Sequence, residues 1–106
     1  MENDLQRITL VIGKLREQFF VHDFEVVNNM LICRYTNEMF FPDEVVIESA
    51  FRFENHFTPD KPAAALYAIT TKSSTQGILL NVFNIYSETE EFLKKVPVRQ
   101  TSENEV

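Results

Sequence analysis

The sequence predicts an α+β domain: an amphipathic N-terminal helix packed on a mostly antiparallel sheet of four to six strands, closed by a short C-terminal helix. Three observations carry that expectation. Apolar residues recur at helical spacing through the first twenty positions. Short apolar runs rich in Val, Ile, Phe and Tyr then follow one another, as strands do. The connections between them are too brief for the crossovers that parallel strands require.

Each element has its own signal. Over residues 3–20, Leu5, Ile8, Ile12, Leu15 and Phe19 form one stripe, with Asn3 or Asp4 as cap and Lys14 and Arg16 toward the negative end of the dipole. Gly13 inside that helix costs about 1 kcal/mol against Ala and suggests a close approach. FEVVNNMLIC reads as a hairpin, because Asn28 and Asn29 tolerate the positive φ of a tight turn. RYTNE, residues 34–38, is a polar connection, and His22–Asp23 belongs to the link between helix and hairpin. Pro42 cannot donate to a ladder, so a strand start or turn is placed there, before Val45, Val46 and Ile47.

FRFENHF, residues 51–57, alternates cleanly: Phe51, Phe53 and Phe57 point one way, Arg52, Glu54 and His56 the other. TPDKP, residues 58–62, is the strongest turn signal, AAALYAITT is the next strand, and KSSTQ is a loop. GILLNVFNIY is a near-continuous apolar run, which predicts a central strand covered on both faces. Ser87 stands three residues before Glu90, the capping-box spacing of a short closing helix. One domain over residues 1–96 is expected, with residues 97–106 a disordered polar tail.

Composition narrows the function classes. The chain has 106 residues, ten of them Phe, enough for one core. Ten basic against 16 acidic residues give a net charge of -6, which repels nucleic-acid backbones. Two widely separated glycines cannot build a phosphate loop or a dinucleotide fingerprint. The single cysteine, Cys33, sits in the apolar run MLIC and reads as a buried thiol; neither it nor His22 and His56 has metal-ligand spacing. No cofactor, metal or membrane is expected as a partner, and the location expected is cytoplasmic.

The candidate ligand-binding residues are Arg52, Glu54, His56, Asn81 and Tyr86; no catalytic residue is assigned. Same-face neighbours on a strand stand roughly 6.5–7 Å apart, so Arg52 and Glu54 can pair on a wet face. Alternatively Arg52 is an anion anchor oriented by Glu54, since its planar fork suits carboxylate or phosphate. Asn81, like Asn84, interrupts a buried run, where an amide must find a partner.

VHDF (21–24), FPDEVVI (41–47), FRFEN (51–55), TPD (58–60), LYAI (66–69) and GILLNVFNIY (77–86) together resemble a family of short bacterial proteins that carry the label phosphoribosylpyrophosphate synthetase. The resemblance spans nearly the whole chain and marks Arg52-Phe53-Glu54 as a shared segment, although Asn55 stands where the family pattern has Gly. The enzymes properly called by that label resemble a much longer two-domain α/β architecture with sites for ATP and ribose phosphate. The resemblance therefore implies a shared small fold and brings no catalytic residue with it. The function expected is a non-enzymatic binding or interaction domain with a protein or small anionic ligand as partner. The alternatives are a nucleotide- or sugar-phosphate-related protein using the Arg52/Glu54 face, and an obligate homodimer paired through a sheet edge or the first helix.

Overall fold

The structure, a computed structural model, describes residues 4–54, 62–82 and 88–99. Helix α1 (Asp4–Glu17) leads into six strands and a closing helix. The strands are β1 (His22–Val27), β2 (Met30–Cys33), β3 (Glu38–Phe40), β4 (Val45–Glu54), β5 (Pro62–Thr71) and β6 (Gln76–Val82), and the closing helix is α2 (Glu88–Leu93). They form one six-stranded sheet in the order β3-β2-β1-β6-β5-β4. The α+β class and the antiparallel bias of the sheet are as the sequence predicts.

One pair departs from the expected pairing: β1 and β6 are parallel, with His22 beside Gly77 and Asp23 beside Ile78. The crossover argument applies to strands that follow one another in the chain. Here two antiparallel three-stranded units, β1-β2-β3 and β4-β5-β6, are joined side by side through their first and last strands. No crossover helix is needed.

The sheet is curled, and chain length forces it. Strands β3 and β4 are opposite edges, about 24 Å apart in a flat sheet at the usual strand spacing. The chain from Phe40 to Val45 can span only about 17 Å. The edges must therefore approach each other around the larger core, which draws Phe24, Val26, Leu31, Phe40, Val45, Ile47, Ile69 and Leu79 from all six strands and Phe92 from α2. The opposite face carries the second core, where Leu15 of α1 and Phe20 meet Phe53, Ala64, Leu66, Ala68 and Ile78.

Several local expectations change. Helix α1 stops at Glu17, and Phe19, expected in its buried stripe, adopts a φ of 75° and is 76% exposed. Phe20 takes the buried place. Gly13 has nothing within 4 Å of where a Cβ would sit, so it marks no close approach. Gly77 does: a Cβ there would lie 2.8 Å from Phe24 Cε2 and against the His22 carbonyl. His22 and Asp23 begin β1 rather than a link, and Glu38 belongs to β3 rather than to a connection.

Pro42 opens a 3-10 turn, Pro42–Glu44, whose Glu44 carboxylate accepts the Phe41 N–H at 2.8 Å. The Asn28-Asn29 turn is as expected, with φ of 54° and 63°. Strand β6 is central, yet only its first half is covered on both faces; Leu80 and Val82 are exposed on the α1 side, beyond the reach of that helix. Residues 97–99, expected in the tail, instead lie along β4: Ile47 N–H donates to Pro97 O and Arg99 N–H to Ile47 O. Asn3, Asn84, Ser87 and most of the 58–62 turn lie outside the described residues.

Candidate functional site

Strand β4 contains the feature that positions the candidate site. Val45, Ile47, Phe51 and Phe53 all have odd numbers, so continuous alternation would place them on one face. The ladder instead slips between Ile47 and Ser49: Ile47 pairs with Ile69, and Ser49 pairs with Ala68. Glu48 is the extra residue of this β-bulge. Below it Val45 and Ile47 enter the α2-side core; above it Phe51 and Phe53 pack on the α1 side. Arg52 is thereby turned to the α2 side, into the curl of the sheet.

Register then places its neighbours. Arg52 pairs with Ala65, and Ala65 pairs with Asn81, so the three form one row across β4, β5 and β6. The next row on this face is Ala50, Tyr67 and Leu79. Asn81 is only 3% exposed, and its Nδ2 is buried with no hydrogen-bond partner among the described residues. An unmet buried amide donor costs about 1–3 kcal/mol. Arg52, by contrast, is exposed. Tyr67 is half-buried, and burial raises its phenol above the ordinary value, against a smaller lowering by Arg52 and a small further raising by Glu90 of α2. The phenol is therefore a protonated donor at neutral pH.

The structure thus brings Arg52 and Asn81 together and adds Tyr67 and Glu90, which sequence reasoning missed. Tyr67 was legible in principle: it lies two residues from Ile69, hence on the same face of β5. The backbone of Glu54 ends β4 after a second slip, opposite Pro62, but its side chain lies outside the described residues. His56 and Tyr86 lie outside them altogether. The expected Arg52–Glu54–His56 row is therefore represented by Arg52.

A second polar cluster sits at the other end of the sheet, where the curl closes. Thr36 and Thr75 hydroxyls each donate to Glu38 Oε1 at 2.9 Å. The Ser73 hydroxyl lies 3.0 Å from that of Thr71 and 3.2 Å from that of Thr75. Hydrogen bonds from Thr75, Thr36 and Ser73 hold the Glu38 carboxyl below the usual carboxylate range. Lys72 N–H donates to the Glu44 carbonyl at 2.8 Å, and its ammonium pairs with the same residue's carboxylate at 2.6 Å. These contacts tie β3 and the turn after it to the β5–β6 turn, which makes this cluster a seam.

A shallow groove of about 370 Å³ beside the seam is lined by Val46, Thr70, Lys72 and Arg99. Both of its cations are engaged, Lys72 with Glu44 and Arg99 with Glu48. Among the described residues no three His, Cys, Asp or Glu side chains cluster to hold a metal ion, and no helix is long and apolar enough to cross a membrane. Cys33 is buried and unpaired by disulfide.

Comparison of the chain with protein-family models, curated proteins and solved structures finds no match, so the site is read from its own geometry.

Proposed function

We propose that this chain is a small binding domain that takes its ligand on the α2 side of the sheet, over the upper part of β4, β5 and β6. The observation that carries this reading is the orphaned Asn81 amide. A donor held 3% exposed without a partner among the described residues costs stability. A ligand that supplies an acceptor offsets that cost. Three features support the placement: the Glu48 bulge aims Arg52 at the same row, Tyr67 offers a hydroxyl in the next, and α2 borders the face through Glu90. The groups assembled there are donors with one carboxylate at the margin, a set suited to holding a ligand. No hydroxyl or thiol in this set is paired with a base, and a binding role follows more directly than a catalytic one.

The test is a screen of small-metabolite mixtures against ¹⁵N-labelled protein. Binding at this face is expected to shift backbone amides of residues 50–52, 65–67, 79–81 and 88–92 together. Shifts confined to the α1 side, or to the seam around Glu38 and Thr75, would place the ligand elsewhere and sink the proposal.

A further inference from the structure

We infer that the group received on this face is an anionic oxygen pair, a carboxylate or a phosphate, held between the Arg52 guanidinium and the Asn81 amide. This deepens the reading above and rests on it. Arg52 and Asn81 occupy the two ends of one cross-strand row, and the residue between them, Ala65, contributes only a methyl. Their Cα atoms are about 9.6 Å apart, two strand spacings. A group with two acceptor oxygens, each taking a bond of about 2.7–2.9 Å from a donor on its own side, bridges such an interval.

Chemistry narrows the acceptor further. Arg52 cannot lose its charge, and its fork presents parallel N–H groups. It makes no hydrogen bond or ion pair with another described residue. Two other cations are spent on described residues, Lys72 on Glu44 and Arg99 on Glu48. Asn81 Nδ2 brings two N–H donors and no charge, which completes an anion's second oxygen without a second desolvated cation. Tyr67, protonated, is a third donor beside them. Glu90 of α2, whose charge reaches the Tyr67 phenol, disfavours an anion at the margin of the face.

The experiment is NMR titration of the intact chain, observing the Arg52 Nε–H and the Asn81 side-chain amide. Inorganic phosphate and acetate are the two probes, and sodium chloride at matched ionic strength is the control. A saturable shift of both side-chain signals by either probe, absent with chloride, is the expected result. The probe that saturates first assigns the source, a phosphate or a carboxylate. Arg52→Gln, at an exposed position that leaves the cores untouched, is expected to weaken binding about ten-fold or more. Arg52→Lys keeps the charge, loses the fork and falls between. If neither anion shifts these signals but a neutral amide probe, N-methylacetamide, does, the anion inference is overturned and the binding face stands. If no probe moves the row and the metabolite screen is also silent there, both fall.

Discussion

Asn81→Leu is the sharpest test of the orphaned amide. Leucine matches asparagine in branching and heavy-atom count, and the position is 3% exposed, so the substitution exchanges a buried amide for a bulkier buried hydrocarbon. Removing an unpaired buried donor returns about 1–3 kcal/mol. Overpacking by the larger methyl groups takes back about 1–3 kcal/mol. The two offset, so the net expectation is a stability within about 1 kcal/mol of wild type, a Tm shift of roughly 4–8 °C at most for a domain of this size.

Urea denaturation is the primary assay, because an unchanged slope shows that any shift of the midpoint is in stability rather than in the compactness of either state. The same variant is expected to lose ligand binding. A loss of more than about 2 kcal/mol on Asn81→Leu would refute the reasoning, because it would mean that the cost of breaking a satisfied amide's bonds is added to the overpacking, and that the amide is structural. Asn81→Asp separates the cases further: it places a charge at a buried site and is expected to destabilise, least so where a cation can reach it.

Three further outcomes follow from the geometry. Gly77→Ala should cost about 1–3 kcal/mol, because a Cβ meets the His22 backbone and Phe24, whereas Gly13→Ala, in open space on a helix, should gain about 0.5–1 kcal/mol; urea midpoints decide both. The hydrogen bonds that lower the Glu38 carboxyl make its contribution to stability present above the ordinary glutamate value of 4.5 and lost as pH falls through its lower folded value, so Glu38→Gln should flatten the stability profile between those two values. Arg99→Ala releases the two-bond contact to Glu48, at 2.5 and 3.0 Å, and should speed amide exchange at positions 47 and 99 while the urea midpoint stays close to wild type.

How far these features are legible in the sequence differs by kind. Local signals carry the elements: the Asn28-Asn29 turn, the α1 stripe through Leu15 and the short helix after Ser87 all follow from residue type and spacing. Partner choice between strands is not local. Nothing in residues 22–27 or 76–82 announces that they pair in parallel, because that contact joins the ends of two units separated by four other strands. The curl is legible only once strand order is known, since it comes from a short link between edges that the sequence does not identify as edges. Arg52 and Asn81 were both singled out for their residue types, but their sharing of one row depends on two ladders and a bulge. Tyr67 was missed because a tyrosine in a strand is ordinarily core, and its neighbours across the sheet decide otherwise.

The bulge itself is open to a decisive perturbation. In VVIESAFRFE four of the five odd positions, Val45, Ile47, Phe51 and Phe53, are apolar and only Ser49 is not, which is close to the pattern of an uninterrupted half-buried strand. Were that pattern continuous, deleting Glu48 would turn Phe51 and Phe53 from core to solvent, each change costing about 1.5–3 kcal/mol of burial before any clash. Marginal domains do not survive such a loss. With Glu48 as the extra residue, deletion instead closes the ladder: Ile47 stays opposite Ile69, Ser49 opposite Ala68, and Arg52 opposite Ala65. Both cores and the row of Arg52 and Asn81 survive. What is lost is the solvent-facing Glu48–Arg99 pair, a small contribution, together with the local twist that a bulge imposes. A cooperative urea transition within about 2 kcal/mol of wild type, with ligand binding retained, is the expected result. A chain that fails to fold would mean that the ladder cannot close at this point, and that the orientation of Arg52 depends on the bulge being present and not only on where the register resumes.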